Sequence, residues 1–100
     1  MPHVILSPAA LEDVKRLREF LRRKNPRAAR SAAETIIKIV QALEKFPEMG
    51  KPVEDEPGSR ELFIDYGNYG YMAKYRYDGK LVLIVNIRAG REGSYRDETT

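Results

Sequence analysis

Three arginines and one tyrosine lie close together in the segment NIRAGREGSYRD, residues 86–97. The arginines are Arg88, Arg91 and Arg96, the tyrosine is Tyr95, and two glycines lie between them. An arginine binds phosphate or carboxylate through two parallel hydrogen bonds, and a tyrosine ring stacks on a nucleic-acid base. The segment could therefore bind a macromolecular target, or it could be a charged extension that only keeps the chain soluble.

Together with Arg60, part of this segment could also cleave RNA without a metal ion. Such a ribonuclease needs a group that activates the 2′-hydroxyl, cations for the phosphorane charge and a proton donor for the leaving oxygen. The arginines, lysine and tyrosine available for this chemistry are Arg60, Lys74, Arg76, Arg88, Arg91 and Tyr95. The same groups could serve an interface, and Lys74 and Arg76 could equally lie on the solvated face of a sheet.

The remaining residue types offer little other chemistry. His3 is the only histidine and there is no cysteine, so neither a Ser–His–Asp set nor a thiolate metal site can be built. Glu54, Asp55 and Glu56 could hold a hard cation, but a solvated acidic loop explains them as well. The segment GNYG lacks the lysine and the following helix of a phosphate-binding loop. We expect no metal and no cofactor.

Length and composition predict one globular domain over residues 1–100. The chain is 42% hydrophobic and 33% charged, which is typical of a soluble protein. Its longest apolar run, LVLIV at 81–85, is too short to cross a bilayer, and the N-terminus lacks the features of a signal peptide. We therefore expect a cytoplasmic protein that does not associate with membranes.

Positive charge is concentrated in one part of the chain, although the net charge is only +3. The segment 15–30 contains one acid, Glu19, and eight cations: Lys15, Arg16, Arg18, Arg22, Arg23, Lys24, Arg27 and Arg30. Residues 48–65 are acidic instead. This separation could place a polyanion and a basic partner on different sides of the molecule, or it could reflect two solvated faces.

Capping signals and apolar spacing predict a strand followed by two helices. HVIL at 3–6 is a short strand, and Ser7-Pro8 is a typical helix start, with Ser7 as the N-cap. Asn25-Pro26 ends the first helix and opens the second, which stops at Phe46-Pro47. Both helices carry apolar stripes, and small residues near the start of the second favour a close helical hairpin.

A loop at 47–59 and three strands complete the chain. The strands are predicted at 60–66, 69–77 and 80–88, and Asp78-Gly79 predicts a type I′ hairpin turn between the last two. The last strand is apolar on both faces, as in a central strand covered on each side. The predicted fold is α+β, in the order β-α-α-β-β-β: a helical hairpin on one face of a small sheet that ends in a three-strand antiparallel meander.

These features, taken in order, resemble the RelE/ParE family of bacterial type II toxins. The resemblance is carried by SPAALEDVKRLREFLRRKNPRAA, LEKFPEMGKPV, GSRELFIDYGNYGYMAKYRYDGKLVLIVNIR and REGSY, and it covers nearly the whole chain. It implies a small α/β toxin that is bound by a partly disordered antitoxin, with residues 89–100 as a C-terminal functional tail.

Family members have two kinds of target, DNA gyrase for those similar to ParE and mRNA on the ribosome for those similar to RelE. The RNase members carry basic residues on the second strand and an arginine on the third, where this chain has Phe63, Asp65 and Met72. Many also have a histidine at the position of Ala89. These departures remove most of the side chains that could act as a general acid or a general base. The resemblance therefore favours gyrase poisoning over ribosome-dependent mRNA cleavage.

The resemblance also implies where partners bind. Target binding is expected at Arg88, Arg91, Tyr95 and Arg96, and catalysis, only if the protein is a ribonuclease, at Arg60, Arg91 and Tyr95. Antitoxin binding is expected on the first helix, at Leu17, Phe20, Leu21, Arg22, Arg23 and Lys24. Operator DNA would be contacted through the antitoxin. A further alternative is a decayed toxin that is retained to bind the antitoxin or the operator.

Overall fold

The computed structural model describes residues 2–66 and 70–89. Its elements in chain order are β1 (His3–Leu6), α1 (Pro8–Lys24), α2 (Pro26–Lys45), β2 (Lys51–Pro52), β3 (Ser59–Ile64), β4 (Tyr71–Tyr77) and β5 (Leu81–Ala89). The α+β fold and the element order predicted from the sequence are confirmed. Within the described residues, neither helix is long and apolar enough to cross a membrane.

Both helices begin at the predicted caps. The Ser7 hydroxyl accepts a hydrogen bond from the Ala10 N–H at 3.0 Å, and Pro8 is the first helical residue of α1. Asn25 ends α1 and caps α2, because its side-chain oxygen accepts from the Arg27 N–H at 2.9 Å. A single residue between two helices leaves no room for a longer loop, so α1 and α2 form a tight hairpin.

The sheet has the strand order β1-β5-β4-β3-β2, with β1 parallel to β5 and every other neighbouring pair antiparallel. β5 is an interior strand, as predicted, and β1 and β2 form the two edges. Both edge strands are short, and Pro52 removes a donor from one of them, which limits pairing with other chains.

The hydrophobic core lies between the helices and one face of the sheet, which we call the covered face. Its buried residues are Ala10, Leu43, Ile64, Ala73, Tyr75, Val82, Ile84 and Ile87. Ala10 at 0% exposure lets the start of α1 approach the sheet closely. On the opposite face, Leu81 and Leu83 of β5 are only half-buried. The prediction that this strand is covered on both faces was therefore wrong for the face that points away from the helices.

α1 supplies hydrogen-bond partners for the part of β5 that lies beyond the end of β1. β1 pairs with β5 only as far as Leu6 and Ile84. Beyond that point the Ser7 hydroxyl donates to the Val85 carbonyl at 2.7 Å, and an Asp13 carboxylate oxygen accepts from the Ile87 N–H at 2.9 Å. The first two turns of α1 are therefore fixed against the second half of β5.

β5 also contains a β-bulge. Lys74 of β4 pairs with Asn86 while the next residue, Tyr75, pairs with Ile84, which leaves Val85 as the extra residue. A bulge of this kind bends the strand and increases its twist. It lies directly before the half of β5 that carries Arg88.

Three local predictions require correction. The loop predicted at 47–59 contains the two-residue strand β2, and β3 begins at Ser59. β4 begins at Tyr71 rather than at residue 69; residues 67–69 lie outside the described residues. The hairpin between β4 and β5 is confirmed, but a type I′ turn is not formed, because φ is positive at Gly79 (+97°) and not at Asp78.

In place of that turn, the Asp78 carboxylate organises the hairpin loop. One of its oxygens accepts hydrogen bonds from the Leu81 and Lys80 N–H groups, at 2.8 and 2.9 Å. Both bonds lower the pKa of Asp78, and the bond from the Leu81 N–H has the larger effect. The Asp78 N–H also donates to the Leu81 carbonyl at 3.3 Å, so backbone and side-chain hydrogen bonds together hold the loop.

Replacing Asp13 with alanine should destabilise the fold. The Ile87 N–H would lose its acceptor in a half-buried position, which should lower the free energy of unfolding by about 1–3 kcal/mol. The neighbouring change Glu12→Ala removes only a solvent-exposed contact with Lys15 and should cost less than about 0.5 kcal/mol. Urea unfolding of the two variants measures both values. Equal losses in the two proteins would contradict this role of Asp13.

Candidate functional site

The face of the sheet opposite the helices carries a row of three side chains from three neighbouring strands. Phe63 of β3 pairs with Met72 of β4, and Met72 pairs with Arg88 of β5. Directly paired residues of antiparallel strands lie on the same face, so these side chains are neighbours. We call this surface the open face; it also carries Glu61 and Lys74 from the adjacent row. Phe63 is 52% exposed, although it is a large apolar residue.

Carboxylates accompany two cations of the open face, Arg88 and Lys74. The Arg88 guanidinium lies 3.6 Å from a Glu61 carboxylate oxygen, and the Lys74 ammonium contacts the Glu56 carboxylate. Arg88 remains 45% exposed in this arrangement. Ion pairs with this exposure contribute little to stability, so Arg88 can exchange Glu61 for an anionic group of a ligand at small cost.

An apolar cavity of 330 Å³ lies at the edge of the open face beside β2. It is lined by Met49, Gly50, Lys51, Glu61, Leu62, Phe63 and Met72. Met49 is 45% exposed, so the cavity presents an exposed thioether and an exposed aromatic ring beside charged groups. Exposed apolar surface with a polar rim is typical of protein-binding sites.

The loop that carries Met49 is fixed by two side chains of the covered face. The buried Tyr75 hydroxyl accepts from the Gly50 N–H at 2.9 Å and donates to the Pro47 carbonyl at 2.7 Å. Arg60 donates to the Glu48 and Gly50 carbonyls at 3.0 and 2.7 Å. Position 50 must be glycine, because a Cβ there would lie 2.8 Å from both the Glu61 carbonyl oxygen and the Tyr75 ring.

Arg60 therefore does not lie on the same face as Arg88, the other described residue of the predicted catalytic and target-binding groups. It pairs with Tyr75 and belongs to the covered face, whereas Arg88 belongs to the open face. Its guanidinium is occupied by backbone carbonyls, which gives it a structural role in the 48–50 loop. The other predicted residues of this group, Arg91, Tyr95 and Arg96, lie outside the described residues.

The six residues predicted to bind an antitoxin have different environments on α1. Leu17 is half-buried and packs against the core, so only part of its side chain is accessible to a partner. Leu21 is half-buried, and the other four are exposed: Phe20, Arg22, Arg23 and Lys24. Phe20 is 55% exposed, with the Lys24 ammonium 4.9 Å from its ring centroid. We call the four exposed residues, Phe20, Arg22, Arg23 and Lys24, the basic surface.

A second cavity, of 660 Å³, lies along the solvent side of the contact between α1 and α2. It is lined by Lys15, Arg18, Glu19, Arg22, Pro26, Ala29, Arg30 and Ala33. We call it the interhelix groove. Four cations and one carboxylate form its walls, and proline and alanine side chains form its floor. The cation cluster seen in the sequence is thus concentrated around a concave surface.

No group of three metal-ligating side chains occurs within residues 2–66 and 70–89. His3 is exposed at the start of β1, and Glu56 of the acidic loop is engaged by Lys74. The described part of the chain thus gives no support to a cation site in the acidic loop.

The sequence is similar to those of known bacterial toxins. Residues 4–93 match the family described as "ParE toxin of type II toxin-antitoxin system, parDE". Toxin RelE3 of Caulobacter vibrioides is 32% identical over 92 residues, which cover 92% of this chain and 98% of that protein. Toxin RelE1 of the same organism is 32% identical over 89 residues, which cover 89% of this chain and 94% of that protein.

A solved structure has the same fold. It is described as "Chromosomal ParDE TA system from P. aeruginosa", and its matching chain has a TM-score of 0.71 and 24% identity, covering 89% of this chain and 96% of that one. At this identity the likeness concerns the fold. The family match and the two similar toxins show that the chain belongs to the RelE/ParE family of toxins of type II toxin–antitoxin systems.

Sequence reasoning did not find several residues that shape these surfaces. The sequence predicted Tyr75 only as part of the strand at 69–77, and its bond to Gly50 joins residues that are 25 positions apart in the chain. The α1 side of the interhelix groove could have been recognised in the sequence, because Lys15, Arg18 and Arg22 recur at spacings of three and four on one side of the helix. The α2 residues that line the groove could not be identified without knowing how the two helices pack.

Removing the Tyr75 hydroxyl should destabilise the protein. Tyr75→Phe leaves the buried Gly50 N–H without its acceptor, which should lower the free energy of unfolding by about 1–3 kcal/mol. Tyr77→Phe is the matched control, because Tyr77 also packs against the core but its hydroxyl bonds to no other described residue. Thermal and urea unfolding report both changes. A loss for Tyr77→Phe as large as that for Tyr75→Phe would refute this assignment.

The stability of the protein should also fall at alkaline pH in a way that depends on Tyr75. Burial raises the pKa of Tyr75 above 10.0, more than the Gly50 N–H and Arg60 lower it. The native state then holds the phenolic proton more tightly than the unfolded state, so this contribution is complete below pH 10 and is lost as the pH rises through the native pKa. Urea unfolding between pH 8 and 11 should show a shallower alkaline decline for Tyr75→Phe than for the parent; identical slopes would exclude the effect.

Proposed function

We propose that this protein arrests growth by binding and poisoning DNA gyrase, and that a cognate antitoxin holds it inactive. Family membership supports a toxin that is paired with an antitoxin. The choice of gyrase rests on one observation, the row formed by Phe63, Met72 and Arg88 on the open face. This row is suited to binding, because an exposed aromatic ring and an arginine are frequent energetic centres of protein interfaces.

The same row argues against RNA cleavage at this face. General acid–base catalysis needs side chains that can exchange a proton with the substrate, and neither phenylalanine nor methionine can do so. Arg60, the candidate catalytic arginine on β3, is turned to the covered face and bonded to the 48–50 loop. The predicted catalytic set therefore has no described member on the open face.

In this proposal, the target contacts the open face and the C-terminal tail together. Arg88 lies at the end of β5, and the predicted target-binding residues Arg91, Tyr95 and Arg96 follow it in the chain. Met49 and Phe63 would receive apolar side chains of the target, and Arg88 would exchange Glu61 for a carboxylate of the target. The antitoxin would contact the basic surface on α1.

A second candidate function is ribosome-dependent cleavage of mRNA. It is favoured by the exposed cations Arg76 and Arg88 and by Lys74, which share the open face and could contact phosphates. In that case Arg91 and Tyr95 would have to supply the chemistry.

Pulse labelling after induction without antitoxin separates the two functions. If gyrase is the target, incorporation of thymidine should fall before incorporation of leucine, and purified protein should inhibit gyrase supercoiling. If protein synthesis falls first and ribosome-bound message is cut, the gyrase proposal is wrong. Growth that continues normally would indicate a decayed toxin instead.

Variants of the open face and of the C-terminal tail test the proposed contacts. Arg88→Ala and Arg91→Ala should each weaken gyrase binding by about 2 kcal/mol or more, roughly 30-fold. Arg27→Ala is the matched control, because Arg27 is an exposed arginine at the start of α2, away from the open face. Binding that is equally strong for all three variants would contradict the proposed site.

A further inference from the structure

The helical hairpin carries more positive charge than the rest of the chain. Residues 8–45 contain ten lysines and arginines and five acids, a net charge of +5, whereas the whole chain has a net charge of +3. The remaining residues therefore carry a net charge of −2. Both helices lie on one face of the sheet, so the excess positive charge is on one side of the molecule. A protein with this polarity attracts polyanions to that side.

The positive charge is poorly compensated around the interhelix groove. Its lining contains one acid, Glu19, which is already engaged by Arg22 through two hydrogen bonds at 2.7 and 3.0 Å. The ion pairs among the described residues use neither Arg18 nor Arg30. Lys15 is paired at 3.7 Å with a carboxylate as exposed as itself, and such a pair is weak. Three cations of the groove are thus available to an anionic ligand.

The cations line the groove from two helices, with a spacing that fits a chain of phosphates. Lys15, Arg18 and Arg22 form a row on α1 from position 15 to position 22, about 10.5 Å along the helix axis. Phosphates follow each strand of a DNA duplex with a rise of about 3.4 Å, so the row covers about three of them. Arg30 contributes a cation from α2. An arginine can bind one phosphate through two parallel hydrogen bonds.

The floor of the groove favours a sugar–phosphate backbone over a peptide. Its apolar part is limited to Pro26, Ala29 and Ala33. This is a small area compared with the core of a protein interface, where large aromatic and aliphatic side chains supply most of the binding energy. The C–H groups of a deoxyribose can pack on such a floor while the phosphates on either side of the sugar reach the cations.

The lining also favours duplex DNA over other nucleic acids. Proteins that bind single strands stack the bases on aromatic side chains, and none of the described residues that line the groove is aromatic. RNA differs from DNA by its 2′-hydroxyl, and the polar groups of this lining are charged, with the carboxylate of Glu19 already bonded to Arg22. Nonspecific binding of duplex DNA needs only cations that contact phosphates.

We propose that the interhelix groove binds the phosphate backbone of duplex DNA, so that this protein contacts DNA directly and without sequence preference. Arg18 and Arg30 bind phosphates from the two walls, and Lys15 binds the next phosphate along the strand. This binding needs neither gyrase nor an antitoxin, so it is independent of the proposed function. The groove and the open face lie on opposite sides of the molecule, so a toxin bound to gyrase through the open face could also hold DNA.

The first experiment measures the affinity of the full chain for a short fluorescent duplex by anisotropy, between 50 and 200 mM NaCl. Arg18→Ala/Arg30→Ala should lower the affinity about tenfold or more, and it should reduce the slope of log K against log salt by about two, or about one for each lost phosphate contact. Lys38→Ala/Lys45→Ala removes two exposed cations of α2 that do not line the groove. This control should change the affinity less than about twofold.

Two outcomes of this titration would overturn the proposal. One is a parent protein that does not bind the duplex at 50 mM NaCl, and the other is a groove variant with the affinity and salt slope of the parent. Neither outcome would affect the proposed function, because gyrase and antitoxin are absent from the assay. Arg18→Lys/Arg30→Lys keeps both charges and should retain the salt slope of the parent.

A carboxylate placed in the floor provides a test that removes no arginine. Ala33→Glu should lower the affinity for the duplex about tenfold relative to Ala33→Gln, which has nearly the same shape and no charge. Circular dichroism should show equal helix content in the two variants. Equal affinities of these two proteins for DNA would contradict the location of the site.

Competition identifies the class of ligand. Unlabelled duplexes of unrelated sequence should displace the labelled duplex equally well, because phosphate contacts carry no sequence information. Polyglutamate, single-stranded DNA and duplex RNA, each at the same concentration of charge, should displace it less well. If polyglutamate competes as strongly as the duplex, the groove is a site for acidic peptides and the proposal is wrong. Stronger competition by a single strand or by RNA would overturn the assignment to duplex DNA.

Discussion

β1 contains four residues and β5 contains nine, so the second half of β5 has an edge that is paired with no strand among the described residues. Backbone donors and acceptors that are removed from water need partners, and α1 provides them through Ser7 and Asp13. This requirement fixes the position of α1 on the sheet. It fixes α2 as well, because Asn25 alone separates the two helices. The hairpin, the core beneath it and the end of β5 therefore form one rigid unit.

A second constraint holds the edge of the sheet near the cavity of the open face. Tyr75 reaches the 47–50 loop from the covered face, and Arg60 bonds the carbonyls of the same loop. Met49, which lines the cavity, is consequently presented by a loop that has little freedom to rearrange. An interface built on rigid elements loses less conformational entropy when a partner binds.

The two candidate surfaces differ in chemistry and lie on opposite sides of the molecule. The open face combines exposed apolar side chains with cations, two of which, Lys74 and Arg88, are already paired with carboxylates. The interhelix groove combines a small-residue floor with arginines that have no such partner among the described residues. One molecule could thus present different surfaces to a protein target and to DNA.

The amino-acid sequence by itself determined the elements of this protein, their order and the family resemblance. Ser7-Pro8 and Asn25-Pro26 act over one helical turn, and strand alternation acts over neighbouring residues, so both can be recognised without a fold. Tertiary structure decided which side chains meet. Arg60 and Arg88 were grouped by residue type, yet strand register places them on opposite faces, and only helix packing brings Arg30 beside Arg18. Such contacts depend on distances between residues far apart in the chain, which local sequence patterns do not encode.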